Sequence, residues 1–247
     1  MAWSRVSGAT LATSSSSTGT SYNMGNLGAN VAVNDRIIAS VSSSTSGPVT
    51  SITDDMGNTW VQLDDNSHAY SSYTHQLWTA VAVGSGAVNN ITLHKSVSSS
   101  YAAIAAATYS GLDTSGSPLD LLLWALTNFS STADSGTTSG TTGAANELKI
   151  GAYADRGVSA TPVAGTLDTT YTMDASDNPT TNLGVALESA DSGASGSTAR
   201  ATMTSGDSGT NAMYVAVFKL AAAGGFQAAW ATTANQGVGF TQPAEFP

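Results

Sequence analysis

Short runs of β-branched and aromatic residues recur along almost the whole chain, and Gly, Asn, Asp and Ser separate them. Runs of this length and composition are typical of β-strands joined by turns. No run carries the spacing of an amphipathic helix of useful length. Many short strands at such intervals predict an all-β fold, an antiparallel β-sandwich. Pairing between successive strands favours a jelly-roll or Greek-key order.

Two of the runs are ambiguous in the sequence. Residues 101–109 are rich in alanine, which favours helix, but strands are predicted on both sides and small residues allow close sheet packing. We therefore predict a strand there, whereas residues 119–126 fit a strand or a short helix. The predicted strands cover residues 35–42, 49–53, 59–63, 75–83, 88–94, 101–109, 119–126, 147–154, 167–173, 183–189, 198–204 and 213–220.

The turn after residue 53 and the segment 128–143 connect these strands. Residues 54–58 contain Gly57, which can supply a positive φ, so this turn predicts a hairpin between residues 49–53 and 59–63. Residues 128–143 are rich in Ser, Thr and Gly and predict a long loop.

The chain has few charged residues, and most of them are acidic. Of 247 residues, 41% are hydrophobic but only 10% are charged, and the formal net charge is −10. Ordinary globular proteins have about 25% charged residues. The seven bases are scattered, which disfavours direct nucleic-acid binding and attachment to an anionic membrane. They are Arg5, Arg36, Lys95, Lys149, Arg156, Arg200 and Lys219.

The chain has no cysteine, so disulfides, thiolate metal sites and a cysteine nucleophile are excluded. The first residues turn polar at once and do not resemble a signal peptide. No apolar run approaches the ~20 residues of a membrane-spanning helix. We expect synthesis in a cytoplasm, without export by the usual route.

Catalytic motifs are missing from the sequence. There is no G-x-S-x-G nucleophile elbow and no glycine-rich phosphate loop with a lysine. The histidines, His68, His75 and His94, are read as surface or cross-strand residues. We predict a protein that is not an enzyme and that uses no cofactor.

Two pairs of aspartates flank the strand predicted at residues 59–63: Asp54 with Asp55, and Asp64 with Asp65. Asp is a favoured turn residue, and this is the leading interpretation. Weak calcium binding is the second, because calcium prefers several oxygen ligands. The third is the carboxylate pair of a glycosidase.

Aromatic residues divide into two groups. Trp60 and Trp78 lie on predicted strands, where core packing is favoured over stacking on a sugar. The other group lies outside the predicted sandwich and is predicted to contact a partner. After Leu220 the sequence has a single charged side chain, so residues 221–247 are predicted to form an arm that docks on another surface, or a tail folded back on its own sandwich. The predicted partner-contact residues are Trp3, Phe226, Trp230, Phe240 and Phe246.

Two motifs give the chain a family resemblance. They are T-D-x-x-G-N-T-W at residues 53–60 and Y-S-G-L followed by P-L-D between residues 109 and 120. Together with the order of the strands, they resemble a family of β-sandwich modules found in phage and bacterial genomes. The resemblance covers residues 31–220. It implies one jelly-roll sandwich and no shared catalytic site.

These features lead to three functional hypotheses. The first is a bacteriophage virion protein, a capsid decoration or cement protein that forms a homotrimer and binds the major capsid protein. The second is a tail, fibre or carbohydrate-binding module that contacts the host, and the third is a carbohydrate-active enzyme. The expected organisation is an N-terminal arm with the first edge strand (1–30), one sandwich (31–220) and a C-terminal arm (221–247), with two domains as the alternative.

Overall fold

The computed structural model describes residues 2–128, 130–156, 161–177, 183–204 and 209–222. Within these ranges the chain consists of strands, turns and loops, and all paired strands run antiparallel. The predicted all-β antiparallel sandwich is therefore confirmed.

The first sheet comes entirely from the N-terminal half of the chain. It contains β1 (Ser4–Gly25), β3 (Arg36–Ser44), β4 (Val49–Thr53), β5 (Trp60–Gln62), β6 (His68–Tyr70), β7 (Tyr73–Val81) and β9 (Ile91–Ser110). Its order is β1-β9-β3-β7-β5, with β4 added to β9 and β6 added to β7. The edge strand β1 pairs with β9 along almost its whole length. A separate short pair joins β2 (Asn30–Val31) to β8 (Gly86–Ala87).

The second sheet comes entirely from the C-terminal half. It contains β10 (Leu119–Asn128), β12 (Leu148–Asp155), β14 (Thr172–Asp177), β15 (Gly184–Asp191) and β17 (Thr210–Phe218), in the order β10-β17-β12-β15-β14. A small outer sheet, β11 (Thr132–Asp134), β16 (Thr202–Thr204) and β13 (Val163–Ala164), accompanies it. Because each main sheet uses one half of the chain, this order does not confirm the expected jelly-roll or Greek-key connection.

The main core lies between the two sheets. Alternating residues of β9 face it, and Ala103, Ala105 and Ala107 are fully buried there. Across from them, Ile150 of β12 and Tyr214 of β17 belong to the same cluster. One cluster thus draws side chains from both halves of the chain. The small alanines allow the sheets to pack closely, and the alanine-rich strand prediction for residues 101–109 is confirmed.

Both sheets are also covered on their outer faces. Ala102, Ile104 and Ala106 of β9 point away from the main core and pack in a second cluster with residues of β4 and the end of β1. On the other side, a third cluster places Met203 of β16 against Val215 of β17. Within the described residues, apolar side chains therefore form three clusters, one between the two main sheets and one on the outer face of each. Double-sided burial explains why strands such as β3 and β12 are buried almost throughout.

The hairpin predicted around Gly57 is wrong, although its turn is present. Gly57 has a φ of 74°. However, β4 pairs with β9, and β5 pairs with β7. Trp60 explains the separation: its ring is buried in the second cluster, so β5 must lie along β7 to cover that face. Strands β4 and β5 are therefore neighbours in the sequence but do not pair with each other.

Two further segments differ from their predictions. Residues 128–143 were expected to be a loop, but they contain β11, and backbone bonds from Ser135 and Thr138 to Ala201 and Ala199 extend its pairing. Residues 167–173 were predicted as a strand, but β14 begins only at Thr172. The ambiguous residues 119–126 form the strand β10.

Candidate functional site

The two sides of the sandwich differ, and the side formed by β1 and β14 is closed. Arg5 Nη1 on β1 donates to Asp174 Oδ1 on β14 over 2.8 Å, and the hydroxyl of Tyr109 donates to the other oxygen of the same carboxylate. Trp3 Nε1 donates to Asp191 Oδ1 over 2.9 Å. These bonds join the two sheets on this side.

The opposite side, which we call the open edge, is formed by β5, the turn after it and β10. Among the described residues, β5 pairs only with β7, and β10 pairs only with β17. A strand paired on one side presents a row of backbone N–H and C=O groups to its surroundings. In the described part of the chain, both strands therefore have one edge that no strand covers.

Apolar side chains are exposed along the open edge. Leu126 at the end of β10 is 39% exposed, and Val61 on β5 and Val83 after β7 are 52% and 60% exposed. From Leu119 to Trp124, β10 is only half buried. Proteins normally protect edge strands with lysine, proline or a central bulge. Strand β10 has one charged residue, Asp120, and its only register shift lies at its start.

An apolar groove of about 260 Å³ occupies the first part of the open edge. Val61, Val81 and Val83 line one wall, and Pro118 lies on the other. At its base, the buried guanidinium of Arg36 donates to the backbone oxygen of Asp113. Burial lowers the pKa of Arg36, and the nearby Asp113 carboxylate opposes that shift. The walls of the groove are therefore suited to apolar groups. The Arg36 guanidinium is already hydrogen-bonded to the protein backbone.

A larger and more polar cleft of about 500 Å³ lies beside the groove, where Leu63 borders both. The imidazole of His68 stacks on the indole of Trp124, with ring centroids 4.2 Å apart and an interplanar angle of 8°. His68 Nε2 lies 2.6 Å from Asp64 Oδ2 and donates to it. Burial and the Asp64 carboxylate raise the pKa of the Tyr214 hydroxyl below them.

The walls of this cleft combine aromatic, apolar and acidic groups. Its walls combine two stacked rings and leucines with the polar side chains of Asp64, Asp65 and Asn66. Asp64 also accepts hydrogen bonds from Asn66. A ligand with an apolar face and hydroxyl groups would match these walls.

The structure places the two predicted aspartate pairs in turns. Asp54 accepts hydrogen bonds from the Asn58 amide and from Trp60 Nε1, the latter over 2.7 Å. Asp55 accepts from the backbone and side chain of Asn89, and these bonds lower the pKa of Asp55. The carboxylates thus fix loop conformations, as the leading interpretation of the sequence proposed.

The weak calcium prediction concerned Asp54, Asp55, Asp64 and Asp65. Within the described ranges, no three His, Asp or Glu residues are grouped so that they could hold a metal ion. Asp64 and Asp65 line the polar cleft, whereas Asp54 and Asp55 bond with Asn58 and Asn89 elsewhere.

The aromatic residues singled out in the sequence lie in different parts of the molecule. Trp60 and Trp78 are 8% and 4% exposed and belong to the second core cluster, so their core assignment is confirmed. Trp3 packs edge-on against Tyr109, with ring centroids 6.1 Å apart. Its role as a partner contact stays a prediction. The remaining predicted contacts lie outside the described residues: Phe226, Trp230, Phe240 and Phe246.

Sequence reasoning missed several residues with unusual surroundings. The cleft pair His68 and Trp124 comes from different sheets, so no local motif marks it. His75 is fully buried, where desolvation, with a smaller effect of His68, lowers its pKa to about 3, and Ser40 Oγ lies 2.9 Å from its Nε2. Glu188 is also fully buried, and desolvation raises its pKa to about 8.

A second carboxyl pair lies at the start of β10 and β12. Burial and the neighbouring Asp120 raise the pKa of Glu147 to about 7. Asp120 Oδ2 accepts a hydrogen bond of 2.5 Å from the Gly143 backbone. This pair anchors the loop before β12, and it borders neither the groove nor the cleft.

No helix within the described part of the chain is long and apolar enough to cross a membrane. Comparisons of the chain with models of known protein families, with curated proteins and with solved structures find no match.

Proposed function

We propose that this chain is a structural protein of a bacteriophage particle, a capsid decoration or cement protein that acts by binding and not by catalysis. The observation that supports it most is the open edge, where β5 and β10 are each paired on one side only and carry exposed apolar side chains. Its partners are other copies of itself, as a homotrimer, and the major capsid protein. Its location is the virion, after synthesis in the host cytoplasm.

Association at the open edge explains how such a protein would stabilise a shell. A neighbouring strand can add to β10 through main-chain hydrogen bonds, while Leu122, Trp124 and Leu126 provide side-chain contacts. Several modest contacts within a trimer would combine into firm attachment across capsomers.

The first experiment measures the mass of the purified protein by light scattering and its co-sedimentation with empty phage shells. We expect a trimer that pellets with the shells. A monomer that stays in the supernatant would contradict the proposal.

A matched pair of variants tests the surface itself. Leu126→Lys places a charge on the open edge and should reduce the trimer to monomers and abolish pelleting. Leu167→Lys is the control, because Leu167 is 62% exposed and lies before β14, away from the open edge. Equal association of both variants would show that the open edge is not the binding surface.

A second candidate function is carbohydrate binding by a tail or fibre module, and the polar cleft favours it. The stacked rings of His68 and Trp124 stand beside Asp65 and Asn66, which can hydrogen-bond sugar hydroxyls. Glycan-array screening tests this function, followed by calorimetry on any ligand found. His68→Ala should weaken binding at least tenfold, whereas His94→Ala, bonded to Ser21 and Thr53 elsewhere, should not. An array without any bound glycan would argue against this candidate.

A further inference from the structure

Lys149 places a primary amine beside the third cluster. It lies on β12 between Val217 of β17 and Ala190 of β15, and both of these neighbours belong to that cluster. The Lys149 side chain is only 2% exposed, and its Nζ lies 5.7 Å from the centroid of the Tyr171 ring. Because a charged ammonium is costly to bury among apolar groups, this amine needs a partner that neutralises it.

The partner is the carboxylate of Asp168, and the segment around it is held in place. Lys149 Nζ donates to Asp168 Oδ2. Asp168 lies between β13 and β14, in a segment closed by a hydrogen bond of 3.0 Å from the Tyr171 amide to the Gly165 carbonyl. The Tyr171 hydroxyl donates to Arg200 O over 2.7 Å, so the ring beside the amine is also fixed. An amine and a carboxyl group are thus held in contact.

A second carboxyl group belongs to the same face of the sheet. Glu188 lies opposite Gly151, two residues after Lys149 on β12, so Glu188 and Lys149 share that face. Glu188 is fully buried, and its Oε1 has no hydrogen-bond partner in the described part of the chain. Desolvation raises the pKa of Glu188 to about 8, so it is protonated at neutral pH. Burial raises the pKa of the Tyr171 hydroxyl, and the carboxyl groups of Glu188 and Asp168 raise it further, so both lie near this hydroxyl.

We propose that Lys149 and Asp168 become joined by an intramolecular isopeptide bond. Lys149 Nζ attacks Asp168 Cγ, a C–N bond forms, and the bond from Cγ to one carboxyl oxygen breaks. The protons of the ammonium balance the reaction: one stays on the amide nitrogen, and the others leave with the oxygen as water. The reaction therefore consumes no oxidant, reductant or co-reactant. Protonated Glu188 can pass a proton to the departing oxygen and recover one from the attacking nitrogen.

The fold favours this condensation in two ways. Holding the amine and the carboxyl group in contact makes the step intramolecular, and the effective molarity of well-oriented groups reaches about 10⁵–10⁸ M. The product is a neutral amide, so the bond also removes the cost of keeping a buried ammonium paired with a carboxylate. The Asp168 side chain is 32% exposed, which gives the released water a path to solvent. The bond ties the segment between β13 and β14 to β12, the central strand of the second sheet.

The mass of the folded, full-length chain tests this inference. Once any removal of Met1 is allowed for, we expect a mass lower than that of the sequence by one water. Lys149→Arg and Asp168→Ala should each have the full mass of their own sequences, because one lacks the amine and the other the carboxyl group. Asp134→Ala is the matched control, since it breaks a different ion pair, with Arg200, and should still lose the water. A wild-type mass equal to that of the sequence would overturn the inference and leave a simple ion pair.

Peptide mapping of the wild-type chain locates the bond. Trypsin does not cleave after a lysine whose Nζ belongs to an amide, so the linked chain should give residues 96–156, uncut at Lys149, joined to residues 157–200. Fragmentation should place the link at Lys149 and Asp168. Cleavage at Lys149 with no linked peptide would overturn the inference even if the intact mass is lowered, because an aspartate that cyclises to a succinimide also releases water.

The inference goes beyond the proposed function and does not depend on it. The amine and the carboxyl group belong to one chain, and neither measurement uses phage shells. Failure of the isopeptide bond is therefore separable from failure of the proposed function. The peptide map needs no variant, so it decides the question even where a substitution prevents folding.

Discussion

Arg5 and Asp174 bond across the two sheets, with 2.8 Å between Arg5 Nη1 and Asp174 Oδ1. The Asp174 side chain is 1% exposed, whereas that of Arg5 is 35% exposed. This bond joins the edge strands β1 and β14 and closes one side of the sandwich. The difference between that side and the open edge is the structural basis of the proposed function.

Arg5→Ala should lower the free energy of unfolding by about 1–3 kcal/mol, because it leaves the buried Asp174 carboxylate with fewer donors. Urea unfolding followed by circular dichroism measures the change. Arg156→Ala is the matched control, since Arg156 donates to Ser71 in an exposed hydrogen bond. The control should change stability by no more than about 0.5 kcal/mol. Equal effects of the two substitutions would contradict the closing role of Arg5.

Glu188 should make the protein less stable as the pH rises. Desolvation raises its pKa from 4.5 to about 8, so between these values the carboxyl is protonated when folded and ionised when unfolded. The unfolded state then binds fewer protons, and stability falls with increasing pH by up to about 1.4 kcal/mol per pH unit. This contribution is fully present below pH 4.5 and is lost as the pH rises through about 8.

Glu188→Gln removes this titration while keeping a polar side chain of similar size. The free energy of unfolding, measured at several values between about pH 5 and pH 8, should therefore fall less steeply in the variant than in the wild type. If the free energy of unfolding changes with pH in the same way in both proteins, Glu188 is not protonated in the folded state. The comparison isolates this residue because Glu147, whose pKa is also raised, is present in both.

Gly165 should not tolerate a side chain. A Cβ at this position would lie 1.8 Å from the backbone oxygen of Thr202, and the Gly165 amide donates to Glu188 Oε2 over 2.8 Å. Gly165→Ala should therefore cost about 1–3 kcal/mol by forcing the segment after β13 away from β16. Thermal unfolding provides the measurement. Gly116→Ala, where a Cβ meets no atom within 4 Å, should leave the midpoint nearly unchanged. A similar midpoint for both variants would refute the close approach.

Local patterns predicted many strands but not their partners. Residues 49–53 were predicted as a strand and form β4, because alternation and flanking turn residues are local properties. Which strand β4 pairs with depends on what its side chains cover. Burial of Trp60 in the second cluster draws β5 to β7, and nothing near Gly57 in the sequence encodes that choice.

The outer sheet shows why polar sequence misled the prediction at residues 128–143. Ser, Thr and Gly favour loops through their side chains, but β11 is held by its backbone bonds to β16. Ala133 at its centre is fully buried against the third cluster. A single apolar residue supplies too little periodicity to identify a strand. Only the proximity of β16 makes this segment extended.

The sequence by itself determined the all-β class, the turn functions of Asp54 and Asp55, and the low charge of the surface, because these depend on residue types and near neighbours. The tertiary structure alone decided that β5 and β10 meet at an open edge, that His68 stacks on Trp124, and that Glu188 is desolvated. Each of these brings together residues distant in the chain. Such contacts form because they bury the most apolar surface in the whole fold. A short segment of sequence does not specify that burial.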